Sequence, residues 1–145
     1  MNAAGEAGGG ARKGAREGNQ PFPLREMWRI RAFEERVGLL TRANEVHGLV
    51  HLSTGQEAVA VGVCSQLRDD DVVYSGHRAH GHALAKGVPM VPLLAELMGR
   101  DGGLCRGLGG SMHLVDAEHG FMGATGVVGG NIPMALLRRK TWPEC

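Results

Sequence analysis

The chain has 145 residues, of which 43% are hydrophobic and 21% charged, and its formal net charge is +1. That length is enough for one domain with its own core but not for two. The balanced charge favours neither nucleic acid nor an anionic membrane as a partner, and no apolar run approaches the roughly 18 to 20 residues of a membrane span.

The first 20 residues are predicted to form a disordered tail rich in glycine and alanine, because they lack periodic apolar residues. This stretch also lacks the apolar core of a secretory signal, and its acidic residues argue against a mitochondrial presequence. The three cysteines, Cys64, Cys105 and Cys145, are far apart and form no C-x-x-C pair. Such spacing is typical of reduced thiols, so we expect a cytoplasmic protein.

A long helix is predicted to begin near Pro23, since proline is favoured in a first helical turn. Its apolar residues recur at spacings of three and four: Met27, Ile30, Phe33, Val37 and Leu40. They form one stripe, which is typical of a helix that packs on a core or on a partner.

Shorter elements are expected between residues 54 and 98. A second helix over 58–67 follows a predicted capping box in which Thr54 and Glu57 cap each other's amides. Residues 72–74 favour a short strand. Further helices are predicted from about residue 78 to 86, ending at Gly87, and over 91–98 with Pro92 in the first turn.

Residues 100–130 show few regular elements but carry many glycines. Glycine allows backbone to turn sharply or to approach a ligand closely, and a loop this long inside a compact domain is usually functional or disordered. Residues 132–140 then favour a last helix. The run 123–130 therefore brings backbone without side chains to a helix N-terminus, which suits an anionic or polar ligand, although the pattern taken alone favours a tight structural turn.

Three of the seven histidines lie in one block, His77-Arg78-Ala79-His80-Gly81-His82. No carboxylate or cysteine lies at ligand spacing and no H-E-x-x-H motif is present, so no protein-bound transition metal is expected. A guanidinium beside imidazoles suits a phosphate instead, because arginine holds phosphate through paired hydrogen bonds. A solvated surface arginine is the alternative reading.

Four blocks, taken in order, resemble the alpha subunits of thiamine-diphosphate-dependent 2-oxo acid dehydrogenases, a group that includes the pyruvate, branched-chain 2-oxo acid and acetoin enzymes. The resemblance spans residues 21–135 and implies the N-terminal portion of a thiamine-diphosphate-binding α/β fold, mostly helical with one or two short strands. The blocks are His51-Leu52-Ser53-Thr54-Gly55-Gln56-Glu57-Ala58, His77-Arg78-Ala79-His80-Gly81-His82, Gly109-Gly110-Ser111-Met112-His113 and Gly126-Val127-Val128-Gly129.

The resemblance also implies roles for individual residues. Arg78 matches the residue that holds the cofactor diphosphate, and the backbone of Gly126 and Val128 matches the positions that contact the aminopyrimidine. His51 matches a histidine near the substrate end of the cofactor, and His77 stands where acetoin-type members commonly have histidine. We therefore expect His51 and His77 to be catalytic, and His77, Arg78, Gly126 and Val128 to bind the cofactor.

The implied activity is cleavage of a 2-oxo acid such as pyruvate, or of acetoin, with transfer of the acyl group to a lipoyl partner. Thiamine diphosphate serves there as the electron sink. The implied partners are a beta subunit, within an α2β2 assembly, and a lipoyl-bearing acyltransferase. The glutamate that activates the cofactor belongs to the beta subunit and is not expected in this chain.

Residues 136–145 depart from the family pattern, which continues to a magnesium-binding Gly-Asp-Gly with a later Asn. Asp101 and Asn131 imitate that pattern, but Arg100 stands where the first glycine should be and no apolar strand precedes it. We therefore expect a tail over 1–20, the front of the cofactor-binding domain over 21–135 and a divergent end over 136–145. This fragment, without the Mg²⁺ ligands, should bind the cofactor poorly alone. The alternatives are a non-catalytic interaction module and a His-rich metal-binding protein.

Overall fold

The computed structural model describes residues 23–141, and the predicted tail over 1–20 lies outside the described residues, as do the last four. Five helices and two strands follow one another along the chain: α1 (Pro23–Arg42), α2 (Glu57–Cys64), β1 (Val73–Ser75), α3 (His80–Lys86), α4 (Met90–Leu97), β2 (Phe121–Ala124) and α5 (Asn131–Thr141). The predicted fold class, a mostly helical part of an α/β fold with one or two short strands, is confirmed.

The apolar stripe of α1 is the first wall of the core. Ile30 and Val37 are fully buried, Phe33 and Leu40 are nearly so, and Met27 packs against them at the edge. Helices α2 and α3 pack on α1 and on each other. Removing this stripe from water supplies much of the stabilisation, because each buried large apolar side chain contributes about 1.5–3 kcal/mol.

The two strands form a parallel pair near the middle of the described region. Val73 lies opposite Phe121, Tyr74 opposite Gly123 and Ser75 opposite Ala124, so the register shifts by one residue after the first pair. Strand β2 lies within a segment for which the sequence predicted few regular elements. Its pairing with β1 explains why, since the hydrogen-bond partners lie almost 50 residues away and leave no local signal.

The predicted capping box at the start of α2 is wrong. The helix begins at Glu57, with Gln56 at the cap position and no side-chain capping bond. The Glu57 carboxylate accepts instead from Arg31 Nε at 2.6 Å and from the Gly55 amide at 3.1 Å. The hydrogen bond from Arg31 is the main reason that the pKa of Glu57 falls from 4.5 to about 2. The charged hydrogen bond from Arg31 on α1 therefore takes the place of the predicted capping bonds between Thr54 and Glu57.

Helix α3 begins at His80 rather than at Arg78, so His77 and Arg78 lie in the loop that follows β1. The helix ends as predicted at Gly87, whose φ of 114° favours glycine. Helix α4 lies one residue earlier than predicted, and α5 begins at Asn131. None of the helices in the described region is both long and apolar enough to cross a membrane.

Candidate functional site at the carboxyl ends of the strands

Two loops start side by side where the parallel strands end. The first, 76–79, follows β1, and the second, 125–130, follows β2. The Thr125 amide donates to the Ser75 carbonyl at 3.2 Å, so the two loops leave the sheet next to each other. In open parallel sheets, ligands bind outside the carboxyl ends of the strands. The fold therefore brings the second and fourth of the sequence blocks to one edge.

His77 is joined at this edge by His51, which comes from the loop before α2. The centroids of the two rings are 5.0 Å apart and the rings are nearly perpendicular, at 76°. The Nδ1 atom of His51 is buried and has no hydrogen-bond partner among the described residues. A buried polar atom without a partner calls for a ligand or a water. The structure thus places both predicted catalytic residues together.

Arg78 lies over the same loop as His51. Its guanidinium donates a hydrogen bond to the backbone carbonyl of Leu52, and the residue as a whole is exposed. No ion pair joins Arg78 to a carboxylate in the part of the chain that the structure describes. An exposed positive charge that is held in place by one backbone bond can still receive an anion.

The turn over 126–129 faces solvent at the end of β2. The Thr125 hydroxyl accepts from the Val127 amide at 3.1 Å, and Gly129 has a φ of 79°. A Cβ built at Gly126 would lie 3.6 Å from the Met112 sulfur, an ordinary contact distance. Helix α5 starts directly after this turn, so the positive end of its dipole lies at the same edge of the sheet.

Glu96 organises the glycine-rich segment that leads to His113, and sequence reasoning missed it. Its fully buried carboxylate accepts four backbone amide bonds, at 2.7–3.0 Å, from Cys105, Gly107, Gly109 and Gly110. Burial raises the pKa of Glu96, but the four amide bonds outweigh it, so the net shift is downward. The available signal was a single acidic residue within the apolar helix α4, just before a run of glycines.

Two clefts of the described region lie on other faces of the molecule. One is lined by the start of α1 and the ends of α2 and α3, and another by residues around Pro92 and His119. At the edge of the candidate site, His51 and His77 are half-buried and Arg78 is exposed. The described residues contain no group of three or more His, Cys, Asp or Glu side chains suited to a metal ion. Asp101, which resembles the magnesium ligand of the family only in sequence, is exposed and pairs with Arg106 at 3.2 Å.

The sequence profile of the family described as "Dehydrogenase E1 component" matches residues 25–136, which include every residue of the candidate site. The chain belongs to the dehydrogenase E1 family. Enzymes of this family depend on thiamine diphosphate. The predicted resemblance is thereby confirmed.

Several characterised E1 relatives share the same segment. The chain is 48% identical over 110 residues to the alpha subunit of acetoin:2,6-dichlorophenolindophenol oxidoreductase from Bacillus subtilis, and 46% identical over 110 residues to the protein of that name from Cupriavidus necator. It is 47% identical over 111 residues to the pyruvate dehydrogenase E1 component subunit alpha of Zymomonas mobilis. Each match covers 76% of this chain but only 31–33% of the relative, so the chain spans about a third of the length of these proteins.

Proposed function

We propose that this chain supplies the alpha-subunit side of a thiamine-diphosphate site in an E1 dehydrogenase that acts on a 2-oxo acid or on acetoin. One observation carries the proposal. His51 comes from the loop before α2 and meets His77 and Arg78 at the carboxyl end of β1, next to the turn at the end of β2.

Arg78 is proposed to hold the diphosphate. Its charge has no carboxylate partner among residues 23–138, and its bond to Leu52 keeps the guanidinium on the side of the site that carries His51. The N-terminus of α5 adds a second source of positive potential at the neighbouring strand end. The backbone of Gly126 and Val128, exposed in that turn, is proposed to contact the aminopyrimidine.

His51 and His77 are proposed to face the reacting end of the site. When bound, thiamine diphosphate supplies an electron sink for breaking a bond next to a carbonyl group. An imidazole can hold or release a proton near neutral pH, and the partnerless Nδ1 of His51 has an unused position for a hydrogen bond. Two rings 5.0 Å apart can both reach one small substrate.

The described residues do not fit the Mg²⁺ that accompanies the cofactor in the family. Asp101 follows helix α4 and not a strand, and it is engaged with Arg106, while Asn131 begins α5. Magnesium needs several oxygen ligands in a near-octahedral arrangement.

A further protein surface is proposed to close the site. The 126–129 turn and the first turns of α5 expose several large apolar side chains: Val127, Val128, Ile132, Met134, Leu136 and Leu137. Such an accumulation of exposed apolar surface in one part of the chain favours a contact with another protein surface. We propose that a beta subunit of the E1 enzyme approaches here, and that the acyl product passes to a lipoyl-bearing acyltransferase. A cytoplasmic location stays a prediction.

The test compares the binding of two ligands to the chain co-purified with an E1 beta subunit. Arg78→Ala should weaken thiamine diphosphate about 10- to 100-fold, because a charge-assisted hydrogen bond contributes about 1.5–3 kcal/mol and each 1.4 kcal/mol is tenfold. Thiamine, which lacks the diphosphate, should bind the variant and the wild type alike. Titration calorimetry with Mg²⁺ present measures both ligands.

The matched control is Arg68→Ala. Arg68 is also a surface arginine. It pairs with Asp70 and Asp71, precedes β1 and so lies toward the opposite edge of the sheet. The Arg68→Ala variant should leave the affinities for thiamine and thiamine diphosphate unchanged. The proposal would be contradicted if Arg78→Ala lost the same affinity for thiamine as for thiamine diphosphate, or if the wild-type complex did not bind the cofactor.

A further inference from the structure

Four buried polar side chains form a hydrogen-bonded chain beneath the candidate site. The Ser53 hydroxyl donates to Glu34 Oε1 at 2.6 Å, and His80 Nδ1 lies 3.1 Å from Glu34 Oε2. On the other side of the ring, His80 Nε2 lies 2.9 Å from the Ser111 hydroxyl. Glu34 and His80 are fully buried, and Ser53 and Ser111 are 3% and 6% exposed.

This network lies among apolar side chains, where a polar group is costly unless its hydrogen bonds are made. The space around it is also tightly filled. A Cβ added at Gly81 would meet the Ser53 hydroxyl oxygen at 2.8 Å, and the Phe33 ring packs edge-on against His80. The side chains therefore have little room for other orientations.

Two members of the network lie two residues from a side chain of the candidate site: Ser53 follows His51 by two residues and His80 follows Arg78 by two. The third segment is the glycine-rich one, where Ser111 precedes His113 by two. The three segments come from different parts of the chain and are joined by Glu34 of α1 and His80 of α3. Glu34 bonds Ser53 and His80, and His80 in turn bonds Ser111.

We propose that Glu34 and His80 are positioning residues that set the orientation of the loops carrying His51, Arg78 and His113, an inference that rests on the proposed function. The arrangement also resembles a Ser–His–carboxylate triad, but with the serine and the histidine buried no substrate reaches the hydroxyl. The role of the network is to hold the loops of the candidate site in place, because hydrogen bonds and packing around reactive side chains keep them in a productive geometry.

The position of the proton on the His80 ring can be measured. Because the ionised Glu34 carboxylate only accepts hydrogen bonds, the proton between it and His80 belongs to His80 Nδ1. In Glu34→Gln, the side-chain amide places its oxygen toward one of the two partners, Ser53 or His80, and its nitrogen toward the other. Either orientation removes the carboxylate charge from beside the His80 ring.

The experiment is ¹H–¹⁵N NMR of the histidine rings in the full chain, without ligand. Glu34→Gln should fold and shift the ring nitrogen signals of His80, because the charged acceptor beside Nδ1 is lost. Ser53→Ala should shift the ring signals of His51 and leave those of His113, whereas Ser111→Ala should do the reverse. Serine-to-alanine changes are small enough for the fold to survive, and Glu34→Gln provides an independent reading if one of them does not fold.

Separate shifts of the His51 and His113 ring signals cannot arise from a general loss of stability, because that loss would shift the ring signals of all histidines together. Equal shifts of His51 and His113 in both serine variants, no shift in either, or His80 ring signals that stay as in the wild type in Glu34→Gln would overturn the proposal. Failure of the proposed function is recognised separately, because it would appear as absent thiamine-diphosphate binding while the histidine pattern persists.

Discussion

The carboxylate of Glu96 is expected to hold the glycine-rich segment 99–113 in place. It accepts four backbone bonds, two on each oxygen, and it is fully buried. Hydrogen bonds to charged groups contribute about 1.5–3 kcal/mol each, but they are not additive within one network. Glu96→Gln keeps one oxygen and turns an NH₂ toward two amide donors, so it should lose about 3 kcal/mol of unfolding free energy. Glu96→Ala leaves four buried amides without a partner and should lose about 5 kcal/mol, close to the whole stability of a small domain.

Urea unfolding of the full chain measures this loss, with hydrogen exchange at the amides of Cys105, Gly107, Gly109 and Gly110 as a local readout. The exposed Glu45 gives the control, because Glu45→Gln changes the same charge at the surface and should shift the unfolding free energy by less than about 0.5 kcal/mol. The prediction is contradicted if the unfolding free energy of Glu96→Gln lies within about 0.5 kcal/mol of the wild-type value, or if the four amides exchange no faster than in the wild type.

Three further outcomes follow from the structure. Gly103→Ala places a Cβ 2.5–2.7 Å from atoms of Glu96 and should destabilise the chain by about 1–3 kcal/mol, whereas Gly102→Ala meets nothing within 4 Å and should be neutral by thermal unfolding. The pKa of Glu57, lowered to about 2 mainly by the Arg31 hydrogen bond, adds stability that is complete above pH 4.5 and is lost as the pH falls toward 2. Glu57→Gln should remove that part of the pH dependence in urea titrations, and an unchanged slope would contradict it. Burial lowers the pKa of His82 below 6.5, so its contribution to stability is complete above pH 6.5 and is lost as the pH falls through the lowered value. His82→Asn should flatten the fall in unfolding midpoint between about pH 7 and pH 5, and an equally steep fall would count against the assignment.

Elements that have a local cause could be predicted from the amino-acid sequence. The stripe of α1, the end of α3 at Gly87 and the helical start after the 123–130 glycines all depend on residues a few positions apart. The family blocks likewise predicted a set of site residues, three of which the structure brings together. Which of them bind the cofactor stays a prediction.

Contacts between distant segments could not be predicted from the sequence. Arg31 reaches Glu57 across 26 positions and displaces the capping box, and β2 exists because β1 pairs with it. The Glu34–His80 pair also shows no local pattern, since the two side chains are 46 positions apart. Periodicity reports which face of an element is apolar, but an ion pair or a parallel strand pair depends on which surfaces meet after packing.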